Sequence, residues 1–386
     1  MKQILLVLIL AITTSLLSAQ NFNSFYGNTV ANTSQTNLIN DLTTFENFGV
    51  KEVGSAALTS AENWITARYN DLGYTDVTLQ PFSYSAGTSN NIIVTKTGSV
   101  YPNTFLIIDA HYDTINGTGT NDNGSGTVLL LELARLLKDV DTEYSIKFIH
   151  FSGEEDGLIG SNYYVNNTVV PENLDLRLVF NIDEVGGVSD MTNDTIICER
   201  DLSNPSSNNA ASNSFTNSLA TCMQLYSSLE TEISNAYASD YVPFENNGYI
   251  ITGLFEQNES PYAHTTNDTL EHMDTDYFFE VTKGALGAAM EFAVAYETLS
   301  TDAQKQLESA VSISPNPAES YINVIFDAPL NSSYAFKLVD LLGKTVLETT
   351  LEHQEQNIRV DNLSSAQYLA VFSRGNQRFF KTIIVK

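Results

Sequence analysis

Apolar positions fall into two regimes along the chain. In the larger, N-terminal part, short β-branched or aromatic runs alternate with longer stretches whose apolar residues recur every three to four positions. The runs Asn91–Thr95, Phe105–Asp109, Ile146–Phe151, Leu178–Ile182, Thr195–Cys198 and Ile250–Phe255 read as short strands buried on both faces. Leu38–Phe48, Ala57–Leu72, Gly126–Leu137, Gly157–Asn166, Ala211–Leu229 and Tyr277–Leu299 read as helices. Trp64, Ile65, Tyr69 and Leu72 keep the helical spacing, and Gly73 ends that element. This alternation predicts a three-layer α/β/α sandwich with a mixed, mainly parallel central sheet.

The second regime begins after Ser314-Pro-Asn-Pro317, which breaks any helix. From Tyr321 the runs YINVIF, YAFKLVD, TVLETTL, NIRVDNL, YLAVFS and FFKTIIV are separated by turn signals at Leu342-Gly343-Lys344 and Arg374-Gly375-Asn376. That pattern predicts a small all-β sandwich domain. At the other end, Met1–Gln20 has Lys2, an unbroken apolar run from Ile4 to Ala11, and small residues at Ser18 and Ala19. It reads as a secretory signal, too short and too interrupted for a membrane span. The expected organisation is 1–20 signal peptide, 21–302 catalytic domain and 303–386 β-sandwich, with no integral membrane span elsewhere.

Charge sharpens this picture. The 386 residues carry 18 Lys+Arg against 46 Asp+Glu, a net charge of −28. Residues 1–302 hold 10 basic and 38 acidic residues, and 303–386 hold 8 and 8, so the whole excess lies in the first part. A general nucleic-acid partner is excluded, because it needs a basic footprint. With 42% apolar residues and only two cysteines, Cys198 and Cys222, the chain has material for a core but no disulfide framework. One bridge and two buried thiols are both open readings.

Sites in open α/β sheets form at the carboxyl ends of strands, so the polar residues just beyond each run are the candidates. His111 and Asp113 follow the Phe105 run. Asp122 lies in Asn121-Asp-Asn-Gly-Ser-Gly126 at a helix start. Glu154 and Glu155 follow the Ile146 run, Asp183 and Glu184 the Leu178 run, and His264 lies in a loop after the Ile250 run. Each has an ordinary structural reading on its own. Three consecutive acids after a buried strand are nevertheless costly unless solvated, paired or metal-bound. Successive side chains diverge, so Glu155 can face a metal while Glu154 faces a substrate. Imidazole and carboxylate donors without cysteine suit a two-zinc hydrolytic site. His150, His272 and His353 have no comparable setting and read as structural or surface residues.

The ordered motifs HYDT, NDNGSGT, GEEDGLIGS, NIDEVG and YAHTTNDT resemble the secreted di-zinc aminopeptidases of the bacterial leucyl aminopeptidase type, over roughly residues 40–300. Ser239-Asp240 ahead of Phe244 also fits. The resemblance implies two Zn2+ per chain and peptide substrates with a free N-terminus. His111 and Asp183 would hold one zinc, Glu155 and His264 the other, and Asp122 would bridge them. Glu154 would be the general base, Asp113 would orient His111, and Asp268 would partner His264. Glu184 departs from the family pattern, where an apolar residue is common, and this opens the pocket to polar or basic N-terminal residues. Tyr241 stands where His is frequent.

Rival readings on related scaffolds are a di-zinc carboxypeptidase, a dipeptidase, or a glutaminyl cyclase, which holds one zinc and lacks the His111-type ligand. Ile313-Ser-Pro-Asn-Pro-Ala318, Val339-Asp-Leu-Leu-Gly-Lys344, Tyr368 and the final Lys381–Lys386 resemble the sorting domain of the type IX secretion system. That resemblance implies the type IX secretion machinery as a partner, and a secreted or cell-surface location after periplasmic passage. The other reading of this part is a carbohydrate- or protein-binding β-module.

Overall fold

The computed structural model describes residues 20–236, 238–298, 306–375 and 377–386. The signal peptide expected at residues 1–20 falls, but for Gln20, outside the described residues. The first nine strands are β1 Val77–Tyr84, β2 Gly87–Lys96, β3 Tyr101–His111, β4 Asp141–Thr142, β5 Tyr144–Phe151, β6 Asp175–Ile182, β7 Thr195–Arg200, β8 Glu230–Asn235 and β9 Ile251–Glu256. All but β4 join one eight-stranded sheet in the order β1-β2-β5-β3-β6-β9-β7-β8. Its middle, β5-β3-β6-β9, is parallel throughout, as is β7 with β8. The pairs β1–β2, β2–β5 and β7–β9 are antiparallel.

The central strands show no alternation because both faces are covered. Leu106, Ile108, Ile146, Phe148, Leu178 and Phe180 pack into the larger core, under the helices Gln35–Asn47, Ala56–Asp71, Gly124–Leu137 and Thr275–Phe292. Their neighbours Ile107, Ile149, Phe151 and Val179 face the other side, against Tyr164, Val165, Tyr241 and Phe244. Helices therefore flank the mixed sheet on both faces. Among the described residues no helix is long and apolar enough to cross a membrane.

Two helix expectations need correction. The helix expected to run to Leu299 stops at Phe292; Val294 takes φ 52 and the chain continues as β10, Ala295–Thr298. The helix expected from Gly157 starts at Ile159, because Leu158 sits at φ 60.

The C-terminal strands are β11 Val311–Ser314, β12 Tyr321–Phe326, β13 Tyr334–Val339, β14 Thr345–Leu351, β15 Glu355–Arg359, β16 Ala366–Arg374 and β17 Gln377–Val385. They form a three-stranded sheet, β11-β12-β15, and a second sheet through β14-β13-β16-β17. Ile322, Val324, Phe336, Leu338, Phe372 and Ile383 are buried between them in a separate core. The second sheet does not end at β17. It runs on through β10 to β4, into the first part of the chain.

Candidate metal centre

The residues singled out by the sequence come together at the carboxyl ends of the parallel strands. His111 is the last residue of β3, and Asp183 follows β6 directly. Glu154 and Glu155 follow β5 after Gly153, whose φ of +71 turns the chain over the sheet end. Asp122 precedes the helix Gly124–Leu137, whose N-cap Asn123 accepts from Gly126 N at 2.8 Å and donates to Ile182 O at 2.9 Å. A Cβ on Gly126 would lie 2.4 Å from that same Ile182 oxygen, so only glycine lets the helix start approach β6 this closely. His264 comes from the loop after β9, at φ 57.

Asp122 is the centre of the arrangement. Its Oδ1 lies 3.3 Å from His111 Nε2, and its Oδ2 lies 3.0 Å from His264 Nε2. His111 Nε2 also faces Asp183 Oδ1 at 3.4 Å, while His264 Nε2 faces Glu155 Oε2 at 2.8 Å. Each imidazole thus has its own carboxylate, and the two halves share Asp122. Glu154 is placed differently, with Oε2 3.9 Å from His111 Nε2. These groups line a cleft of about 360 Å³ that Gly157, Leu158 and Ala238 help to wall. His111 is buried, whereas the His264 side chain is 52% exposed at the rim.

Neighbouring polar groups fix the set. His111 Nδ1 lies 3.2 Å from the Asp113 backbone carbonyl and 3.8 Å from its carboxylate. A proton on Nδ1 donates to that carbonyl and leaves the Nε2 lone pair facing Asp122 and Asp183. The Asp113 carboxylate accepts the backbone N–H groups of Glu154 and Glu155, both at 3.3 Å. Ser239 donates to Asp183 Oδ2 at 2.6 Å and accepts from Asn181 Nδ2 at 2.9 Å. The third acid of the consecutive triple, Asp156, takes the Tyr84 hydroxyl from β1.

Asp268, expected as a partner of His264, instead spends its carboxylate on the backbone N–H groups of Asn121 and Asp122, at 2.8 and 3.0 Å. Sequence reasoning missed Glu256 altogether. Its carboxylate ends β9 and accepts from Asn121 Nδ2 at 3.0 Å, Gly187 N at 2.7 Å and Ser260 N at 2.8 Å. An acid at a strand end was the signal used for the other residues, and it points to Glu256 as well.

So many carboxylates in one buried place repel one another, and the titration directions show it. Burial, together with Asp240, Asp183 and Asp113, pushes Glu154 well above the carboxylate range despite the nearby His111. Burial and then Asp122 lift Glu155 to about 8. Burial alone would also lift Asp122, but the two imidazoles beside it, His111 and His264, pull it below the usual range. His111 rises well above its ordinary value, because Asp183, Glu154 and Asp122 outweigh its burial.

The donor set fits bound cations. His111 Nε2, Glu155 Oε1 and Asp183 Oδ1 are buried polar atoms without a hydrogen-bond partner, a costly state unless something else coordinates them. His111, Asp122 and Glu155 present one donor atom each within 4.8 Å of one another, and so do Asp122, Asp183 and Glu184. Nitrogen and oxygen donors without sulfur are the chemistry of a hydrolytic zinc site.

The remaining candidates lie elsewhere. His150 is buried against the Tyr69 hydroxyl at 2.9 Å, His272 packs on Tyr262, and His353 is exposed. Cys198 and Cys222 are two buried free thiols.

Comparison with known proteins gives this geometry a setting. Residues 91–290 match peptidase family M28, and residues 312–386 match the secretion system C-terminal sorting domain. Aminopeptidase YwaD of Bacillus subtilis is 30% identical over 244 residues, which cover 61% of this chain and 52% of YwaD. The chain thus spans about half the length of that relative. Among solved structures, LapB of Legionella pneumophila superposes with a TM-score of 0.63 at 22% identity, covering 71% of this chain and 76% of LapB. A glutaminyl cyclase of Bacteroides thetaiotaomicron gives 0.56 at 18% identity, covering 66% of this chain and 97% of that one. These two structures share the fold. The sorting domain marks the chain for secretion or attachment at the cell surface.

Proposed function

This chain belongs to peptidase family M28, and from that premise we propose that it is a zinc aminopeptidase, secreted through the type IX machinery, that removes N-terminal residues from peptides. The observation that carries the proposal is the position of Asp122, whose two carboxylate oxygens face two different imidazoles, His111 and His264. Each of those imidazoles also faces a carboxylate of its own, Asp183 or Glu155, so the donors divide into two sets rather than one. That division supports the two-metal reading over the glutaminyl cyclase, with which the fold is shared.

His111 and Asp183 would hold one zinc and Glu155 and His264 the other, with Asp122 spanning both. Bound there, the ions would acidify the attacking water and polarise the scissile carbonyl. The rest of the work falls to the chain. Asp113 holds the Glu154–Glu155 backbone and the His111 ring in place, and Ser239 locks the rotamer of Asp183. With bound cations offsetting the burial and the Asp240 and Asp183 charges that hold a proton on it, Glu154 would stand as a free carboxylate outside the imidazole pairs and take the proton of the water as it attacks the carbonyl carbon. It returns that proton to the amide nitrogen as the C–N bond breaks, acting as base and then as acid. The acidic cleft draws in the cationic α-amino group of the substrate.

The test is a panel of aminoacyl-arylamides with N-acetylated controls, assayed before and after chelation and zinc return. Cleavage of the free-amine substrates alone, lost with chelator and restored by zinc, is the expected result. Zinc binding without cleavage of any free-amine substrate would move the chemistry to a carboxypeptidase, dipeptidase or cyclase.

A further inference from the structure

The C-terminal β-sandwich is joined to the rest of the chain by a seam with interior-like packing. β17 pairs in parallel with β10, Glu297 opposite Gln377 and Thr298 opposite Arg378, and β10 pairs in turn with β4. This closes two strand edges that would otherwise stand open. Arg378 forms an ion pair with Glu143, both nearly buried, and its guanidinium lies over the Tyr296 ring at 4.7 Å. Val339 from β13 and Val371 from β16 are 1% exposed because they pack on Val100, just before β3. The Tyr101 hydroxyl meets Thr345 Oγ1 at 2.6 Å. A Cβ on Gly343 would stand 2.8 Å from the Val100 carbonyl, so the β13–β14 turn lies close against the chain that enters β3. A cleft of about 680 Å³ along this seam sets Lys344 of the sandwich with Asp175 of the acidic part among its walls.

The seam is also at the far end of the sheet from the metal centre. It is built on the beginnings of β3 and β5, at Val100, Tyr101, Glu143 and Tyr144. The centre is built at their ends, at His111 and Glu154. Along β3, Tyr101 to His111 spans about 30 Å at strand rise.

We propose that the C-terminal sandwich docks as a fixed second body on the catalytic part, stays bound through this seam when the connecting residues are cut, and leaves the metal centre open. A tail that only hangs from its linker would not bury Val339, Val371 and a paired Arg378 against the other part. The sandwich has no excess charge of its own, and it turns two of its few cations, Arg378 and Lys344, toward the acidic part. Removal of the sandwich is therefore not what switches catalysis on.

To test this, a recognition site for a specific protease is placed between residues 299 and 305 of the full chain, and the cut protein is run on size exclusion at about 10 µM. Both fragments are expected in one peak at the volume of the uncut chain. Separate elution of the wild-type fragments would overturn the proposal. The double variant Val371→Asp, Arg378→Glu is expected to fall apart after cutting, with the uncut double variant serving as the folding control. Co-elution of its fragments would overturn the seam as the holding surface. Arylamide turnover is expected to change by less than about threefold on cutting, and a larger rise would overturn the open mouth. The elution arm stands whatever the substrate proves to be.

Discussion

Asp268 holds Asp122 by its backbone: the Asp268 carboxylate accepts the Asp122 N–H at 3.0 Å across 146 residues of sequence. Asp268 belongs to the same loop as His264, and His264 Nε2 lies 3.0 Å from Asp122 Oδ2. One loop therefore supplies a candidate ligand and also anchors the carboxylate proposed to bridge. Replacing Asp268 by Ala frees the backbone at Asp122 and leaves two buried N–H groups unsatisfied. The expected outcome is a loss of zinc affinity of about 10- to 100-fold, read as zinc retained per chain against a graded series of chelators. Asn, which keeps one acceptor oxygen, is expected to fall between Ala and the native residue. Unchanged zinc retention in the Ala variant would show that this anchor does not matter.

Glu154 and Glu155 are adjacent in sequence yet differ in what they face. Glu155 reaches His264 at 2.8 Å, while Glu154 stands 3.9 Å from His111. Glu154→Gln keeps size and polarity but cannot take a proton. It is expected to retain the wild-type zinc content and to lose about 10²- to 10⁴-fold in kcat. Zinc loss in this variant would move Glu154 among the ligands, and surviving activity would remove it from proton transfer.

The sequence made the centre of the fold legible for a physical reason. Strands such as Phe105–Asp109 and Leu178–Ile182 are buried on both faces, so their composition alone gives them away. The polar residues beyond their ends then stand out. Edge strands carry no such mark. β1 contains Pro81 and mostly half-exposed or exposed positions, and β8 reads Glu-Thr-Glu-Ile-Ser-Asn, as suits strands with one free edge. The apolar stretch beyond Phe292 continued the helical pattern, and nothing local announced that it would pair with β17. Two supports of the site stood out in the sequence as residues, but not for the partners they hold. Asp268 and Asp113 act on backbone N–H groups far away in sequence, a role that leaves no trace in residue spacing.

Glu184 is the residue of the cleft with no assigned task. It takes φ 44 directly after Asp183, and its Oε2 is buried without a hydrogen-bond partner. Burial, then Asp122 and Asp183, push Glu184 up to about 11. A cationic N-terminal side chain entering the cleft draws that proton off and pairs with the carboxylate, which an apolar one cannot do. Lys- and Arg-arylamides are expected to give higher kcat/KM than Leu-arylamide, and Glu184→Leu is expected to shift that ratio toward Leu by about fivefold or more. A ratio that does not move with the substitution would take Glu184 out of substrate selection.

His150 provides a pH signature unconnected with the metal centre. The ring is wholly buried beside Tyr69, and burial holds its pKa down to about 3 from an ordinary value of 6.5. Once unfolded, the ring binds a proton as soon as the pH drops below about 6.5, while the folded chain refuses it until about 3. The unfolded state therefore binds more protons throughout this window, and stability must fall as the pH falls. The contribution is fully present above pH 6.5 and is spent by pH 3, and at 1.36 kcal/mol per unit it amounts to at most about 5 kcal/mol. In His150→Gln, which has no such proton to take up, the unfolding free energy measured in urea at a series of pH values is expected to fall less steeply between pH 6.5 and 3 than in the native chain. Parallel curves for the two proteins would mean that the buried ring is not a source of the acid sensitivity.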